Sequence, residues 1–117
     1  MVTPAAGTVV LVPFPFSDLS KSKLRPAVVL AYVDRDDWIL SQITSNPYSD
    51  ARAVQLLDTS FSTGSLMITS YARPGKLFTA SQSLMVKEVG RLKIESFRQI
   101  VDAVVKIIRA DNSLSEG

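Results

Sequence analysis

Up to residue 93, apolar residues in this chain fall into short runs separated by turn formers; beyond it they change period. The first run is Gly7-Thr8-Val9-Val10-Leu11-Val12-Pro13-Phe14-Pro15-Phe16, a strand pattern closed by two prolines that cannot sit in a central ladder. Met1 to Ala6 reads as a loose lead-in and Ser17 to Leu24 as an exposed polar loop. Pro26 disfavours helix for Arg25 and removes one ladder donor, so Arg25 stands at the mouth of a second strand built from Val28, Val29, Leu30 and Tyr32. Asp34-Arg35-Asp36-Asp37 then punctuates the chain before Trp38-Ile39-Leu40-Ser41-Gln42-Ile43-Thr44, which together predict a hairpin. A turn centred on Asp34 and Arg35 sets Thr44 opposite Arg25, and centring it one residue later sets Asn46 there. In either register the guanidinium and Thr44-Ser45-Asn46 share one edge, where opposed side chains lie about 5 Å apart.

Shorter runs follow. Ala53 to Leu57 reads as a strand, Ser62-Thr63-Gly64-Ser65 as a turn, and Leu66 to Ala72 as another apolar run. Arg73-Pro74-Gly75-Lys76 predicts a turn from its Pro-Gly pair, before Leu77 to Ala80 resumes an extended pattern. Ser83 to Val89 has no clear period, and Gly90 reads as its end. Short strands with frequent turn signals predict a small barrel. From Ile94 onward, Phe97, Ile100, Val101, Val104, Val105 and Ile108 recur at three- and four-residue spacing with charges between them, an amphipathic helix of about five turns that would cover one open face. The expectation is one mainly β domain with a C-terminal helix, the barrel spanning about 7–91 and the helix about 93–110.

Composition narrows the chemistry. The chain has 117 residues, no cysteine and no histidine. That removes disulfides, thiolates, His-based metal sites and every Ser-His or Cys-His nucleophile. No run approaches the roughly 20 apolar residues of a membrane span and no leader pattern is present, which predicts a soluble intracellular protein. The net charge of +2 is mild, but Lys21, Lys23 and Arg25 crowd one loop and Arg73 and Lys76 another. Phe14 and Phe16 beside the first basic loop are a candidate stacking platform for bases, although aromatics there more often form the lip of a core.

Taken in order, Gly7 to Leu19, Lys23-Leu24-Arg25-Pro26-Ala27-Val28-Val29-Leu30, Gln42-Ile43-Thr44-Ser45, Gly64-Ser65-Leu66, Arg73-Pro74-Gly75-Lys76-Leu77 and Gly90-Arg91-Leu92 before the helix resemble the MazF/PemK family of toxin endoribonucleases. The resemblance implies an SH3-like small β-barrel of the MazF/PemK/CcdB type. It implies a homodimer in the prokaryotic cytoplasm that inhibits growth by metal-independent, sequence-specific cleavage of single-stranded RNA or mRNA, with no cofactor. It further implies a cognate antitoxin as partner and a toxin–antitoxin complex that binds operator DNA. Arg25 and Thr44 are then the catalytic pair. Around them, Phe14, Phe16, Lys21, Lys23, Ser45, Asn46, Arg73 and Lys76 are the candidate RNA-binding residues, with no metal ligand among them. The chain departs from the family where its members usually carry an acid after the first-strand glycine, since that position is Thr8; Ser70, Arg73 and Lys76 lie near a further basic position that some members use.

The chemistry stands on physical grounds too. Single-stranded RNA carries its own nucleophile, the 2′-hydroxyl, so an enzyme has to supply in-line positioning and positive charge where the phosphorane develops. A guanidinium offers two phosphate oxygens a planar fork, and the Thr44 and Ser45 hydroxyls can orient the same group. The ordinary structural roles are a strand-end cap for Arg25 and a backbone-bonded strand hydroxyl for Thr44. Two other functions suit such a chain: an RNA- or protein-binding module without catalysis, and a gyrase-directed toxin of the same barrel superfamily.

Overall fold

The computed structural model describes residues 2–14 and 23–110. Phe16 and Lys21 lie outside the described residues. Seven strands and one helix follow in order: β1 (Thr8–Pro13), β2 (Leu24–Asp34), β3 (Asp37–Thr44), β4 (Val54–Leu56), β5 (Phe61–Gly64), β6 (Ser70–Ser81), β7 (Lys87–Leu92) and α1 (Ile94–Ala110). The strands form one antiparallel sheet ordered β4-β6-β3-β2-β1-β7-β5, curled into a half-barrel. This is the mainly β architecture that the run lengths and turn spacing predict.

Both faces of the sheet are covered, because strand residues alternate between two apolar clusters. Val9, Val28, Ile43 and Ala72 point to the face where α1 inserts Ile100 and Val104. Val10, Val12, Ala27, Val29 and Leu40 point the other way, joined by Val2, Ala80 and Met85. Val2 is therefore not part of a loose lead-in. It is buried and its carbonyl accepts a hydrogen bond from Gln82 Nε2 at 2.9 Å.

The β2–β3 hairpin combines both expected registers. Its turn is centred on Arg35 and Asp36, both at positive φ (49° and 66°), the left-handed pair that matches strand twist in a two-residue turn. Asp34 accordingly faces Asp37, the later of the two registers. Register shifts between Val29 and Ala31 and between Tyr32 and Asp34 then return the ladder to Ala27 opposite Gln42, the frame that leads on toward Arg25 and Thr44.

Three turn readings are corrected. Arg73-Pro74-Gly75-Lys76 does not reverse the chain: it lies inside β6, where the register on β3 shifts between Ser41 opposite Leu77 and Ile43 opposite Ala72. Proline lacks the ladder donor, so Pro-Gly here makes a bulge rather than a turn, with Pro74 fully buried. Ser62 to Gly64 belongs to β5 and the chain turns only after Gly64, whose φ of +68° and backbone contact suit a residue without Cβ. Gly90 sits within β7, paired with Val9 and Gly64, instead of ending a segment, and glycine suits it because a Cβ there would lie 2.7 Å from the Phe61 ring.

Candidate active site

Strand alternation determines what gathers beyond the second cluster. Arg25 is two residues before Ala27, and Gln42 and Thr44 follow Leu40 at even spacing, so all three share the face of the sheet that buries Ala27 and Leu40. There the apolar packing ends at Phe14 and Phe78, whose ring centroids are 5.3 Å apart, and opens into a cavity of about 510 Å³. Its walls carry Arg25, Gln42 and Thr44 from the hairpin, Arg73, Gly75, Lys76, Leu77 and Phe78 from β6, with Phe14 and Tyr48. Three of these are cations and none is an acid.

Of the residues singled out in the sequence, Arg25, Thr44, Phe14, Arg73 and Lys76 meet in this cavity. Lys23, Ser45 and Asn46 are exposed and do not line it. Phe14 is a core lip, only 8% exposed, which leaves little of its ring open for stacking. Gln42, Tyr48, Gly75, Leu77 and Phe78 join the lining without being among the site residues expected from the sequence. The period-two spacing from Gln42 to Thr44 is the signal that finds the first of them.

Thr44 Oγ1 accepts from the Asn46 amide at 3.1 Å and donates to the Asn46 carbonyl at 3.0 Å, closing the chain into a tight corner at the end of β3. Arg73 is fastened at both ends. Its carbonyl accepts a 2.6 Å bond from Ser41 Oγ, and its Nε donates to Asp50 Oδ2 at 3.0 Å in an ion pair that is more than four-fifths shielded from solvent. That bond, aided by the Arg52 amide on Asp50 Oδ1, holds the Asp50 carboxyl below its ordinary range against the opposing cost of desolvation. Arg25 is exposed, pairs along the backbone with Val12 and makes no ion pair with a described residue.

Thr8 and Ser70 stand apart from the cavity. Thr8 is fully buried and its hydroxyl accepts from the Ala5 amide at 3.1 Å, four residues along β1 from the partner of Arg25 and so about 13 Å away along the strand. Ser70 is buried and donates to the Ile68 carbonyl. Among the described residues no group of three or more carboxylates is close enough to hold a metal ion, and no helix is long and apolar enough to cross a membrane.

A family model described as PemK-like, MazF-like toxin of type II toxin–antitoxin system matches residues 5–108. Among solved structures, a MazE–MazF crystal structure from Deinococcus radiodurans aligns with a TM-score of 0.72 at 15% identity, covering 92% of this chain and 97% of that one. An endoribonuclease in complex with its cognate antitoxin from a mycobacterial species aligns at 0.68 and 12% identity, covering 92% and 95%. The Mycobacterium tuberculosis toxin MazF-mt6 aligns at 0.67 and 14%, covering 86% and 95%. At such identities these structures share the fold. Among curated proteins no sequence matches the chain significantly.

Proposed function

The chain belongs to the PemK-like, MazF-like toxins of type II toxin–antitoxin systems, and from that premise we propose that it is a metal-independent endoribonuclease that cuts single-stranded RNA in the cavity between Arg25 and Thr44. The observation that carries this reading is the convergence of Arg25, Thr44, Arg73 and Lys76 on one cavity with no acid among its described lining residues. A single RNA strand bound there presents its 2′-oxygen to the adjacent phosphorus. The new bond to the 2′-oxygen forms as the bond to the 5′-oxygen breaks, and the proton lost by the one is matched by the proton gained by the other. The products are a 2′,3′-cyclic phosphate and a 5′-hydroxyl.

Arg25 is suited to the charge that develops on the phosphorane, since a guanidinium binds two oxygens at once and stays protonated at ordinary pH. Because it makes no ion pair with a described residue, its charge is directed at substrate without first breaking a contact. Thr44 can orient the same phosphate by exchanging its bond to the Asn46 carbonyl for one to a phosphate oxygen. Lys76 supplies backbone neutralisation.

The partner in this reading is a cognate antitoxin, as in the mycobacterial and Deinococcus complexes. Exposed Met67, Ile68, Val105 and Ile108 provide apolar surface for protein contacts, and a twofold homodimer is the expected state. Its antitoxin complex would be the species that meets operator DNA. The test is incubation with a long single-stranded RNA with and without chelator, followed by end-group analysis. Cleavage that survives chelation, leaves 5′-hydroxyl ends and stops at a scissile 2′-O-methyl supports the mechanism. Equal cutting of the 2′-O-methyl substrate refutes it.

A further inference from the structure

Among the described aromatics that line the cavity, Tyr48 is the one that stands in the open. Phe14 leans on Phe78, whereas Tyr48 lines the same cavity and is 71% exposed. Its backbone is held in an unusual state. Tyr48 and Ser49 both have positive φ, 51° and 65°, and a non-glycine residue there costs of order 1–3 kcal/mol and persists only where its surroundings determine it.

Those surroundings are specific. The Tyr48 amide donates to Asn46 Oδ1 at 3.0 Å, and the Asn46 amide in turn donates to Thr44 Oγ1. The Asp50 amide donates to the Pro47 carbonyl at 2.9 Å, and the Ala53 amide to the Asp50 carbonyl at 3.2 Å. The Asp50 carboxylate takes the Arg52 amide on one oxygen and Arg73 Nε on the other. Two side-chain fastenings therefore hold the turn that carries Tyr48, one running to Thr44 and one to Arg73. A ring carried on a backbone fixed at both sides has little backbone freedom left to lose when a planar ligand stacks on it.

We propose that Tyr48 is a nucleobase-stacking platform of this site and that Asp50 is its positioning residue, holding the Tyr48 turn and Arg73 in place together. The inference rests on the RNA reading of the cavity and adds what reads the base beside the phosphate. A tyrosine face accepts any base, and a base reaches it only when unstacked, which selects single strands over duplex.

The test uses the full chain and an uncleavable 2′-O-methyl RNA single strand with one 2-aminopurine, its position walked along the oligomer. Binding is read by anisotropy and stacking by quenching of the 2-aminopurine. Tyr48→Ala is expected to weaken binding about 5- to 100-fold and to lose the quench. Tyr48→Phe should keep both, and RNA with an abasic site at the quenched position should bind parent and Tyr48→Ala alike. Asp50→Asn should weaken binding and reduce the quench, with partial recovery in Asp50→Glu. Parental affinity and quench in Tyr48→Ala overturn the platform, and the same result in Asp50→Asn overturns the positioning role. Cleavage of unmodified RNA by the parent separates this from the nuclease reading. No cleavage with Tyr48-dependent binding refutes the nuclease alone, cleavage with Tyr48-independent binding or with no binding refutes the platform alone, and neither binding nor cleavage refutes both.

Discussion

Arg25 and Arg73 bring the same guanidinium to one cavity and are held by opposite means. Arg25 is placed by its strand: β2 pairs with β1 through Val12 opposite Arg25, and the side chain itself is exposed without an ion pair among the described residues. Arg73 is placed by its side-chain neighbours. It sits in the bulge of β6, where the ladder is interrupted, and Ser41 and Asp50 take over the fixing that regular pairing would give. A cation held by backbone alone keeps its whole charge and all its donors for a substrate. One held through Nε has a fixed plane but has already given part of its charge to a carboxylate. The first arrangement suits stabilisation of a transition state, the second suits orientation.

The sharpest way to break that contrast is to remove the uncommitted charge. Arg25→Ala is expected to cut single-turnover cleavage of RNA by at least about 10²- to 10³-fold, the usual loss for one preorganised transition-state donor. Arg25→Lys should recover little, because the ammonium keeps the charge but loses the planar fork. Thr44→Ala should also remove most activity. Thermal melts of all three should stay within about 0.5 kcal/mol of the parent, as for surface substitutions at strand ends. Near-parental cleavage by Arg25→Ala would take Arg25 out of the site, and a collapsed melt would make it a structural cap.

A smaller effect is expected on the other side of the contrast. Asp50→Asn changes no residue of the cavity lining but releases Arg73 Nε and one end of the Tyr48 turn. If Arg73 orients rather than stabilises, cleavage should fall by no more than about 10²-fold, the scale of a misplacement of about 1 Å. A loss as large as that of Arg25→Ala would abolish the distinction between the two arginines.

The same contrast explains what the sequence made legible. Arg25 could be found because Pro26 marks a strand mouth and alternation places Arg25, Gln42 and Thr44 on one face; the turn takes the later of the two expected centres, and two register shifts restore the earlier frame before the ladder reaches them. The helix and strands β1 to β4 are likewise visible in their patterns, whereas β5 reads as a turn and β7 shows no clear period. What depended on Arg73 was hidden. Pro74-Gly75 carries the local signature of a reversal, and only the fit of β6 across both β3 and β4 turns it into a bulge within a twelve-residue strand. The Asp50 contact spans 23 residues, and nothing in either segment announces the other. The sequence around Tyr48 shows only a loop, because the placing of its ring follows from two left-handed residues that no local glycine foretells.

The smallest effect is on stability, and pH gives it a sign. The carboxyl of Asp50 is held below its ordinary value chiefly by the hydrogen bond from Arg73, so in the folded chain it loses its proton more readily than in the unfolded one. Such a group stabilises the fold fully above its unfolded value, about 3.9, and loses that contribution as pH falls through its lower folded value. Parent and Asp50→Asn should therefore differ most between about pH 5 and 7, by up to about 1 kcal/mol for a pair still partly open to water, and converge on acidification below about pH 4. Arg73→Ala should show the same convergence, since it removes the other half of the pair. Arg25→Ala should instead keep the parent's acid dependence, because Arg25 has no ion-paired carboxylate among the described residues to lose. Urea melts of the four proteins across that range measure it, and an Arg73→Ala curve parallel to the parent's down to pH 3 would mean that the carboxylate answers to a different cation.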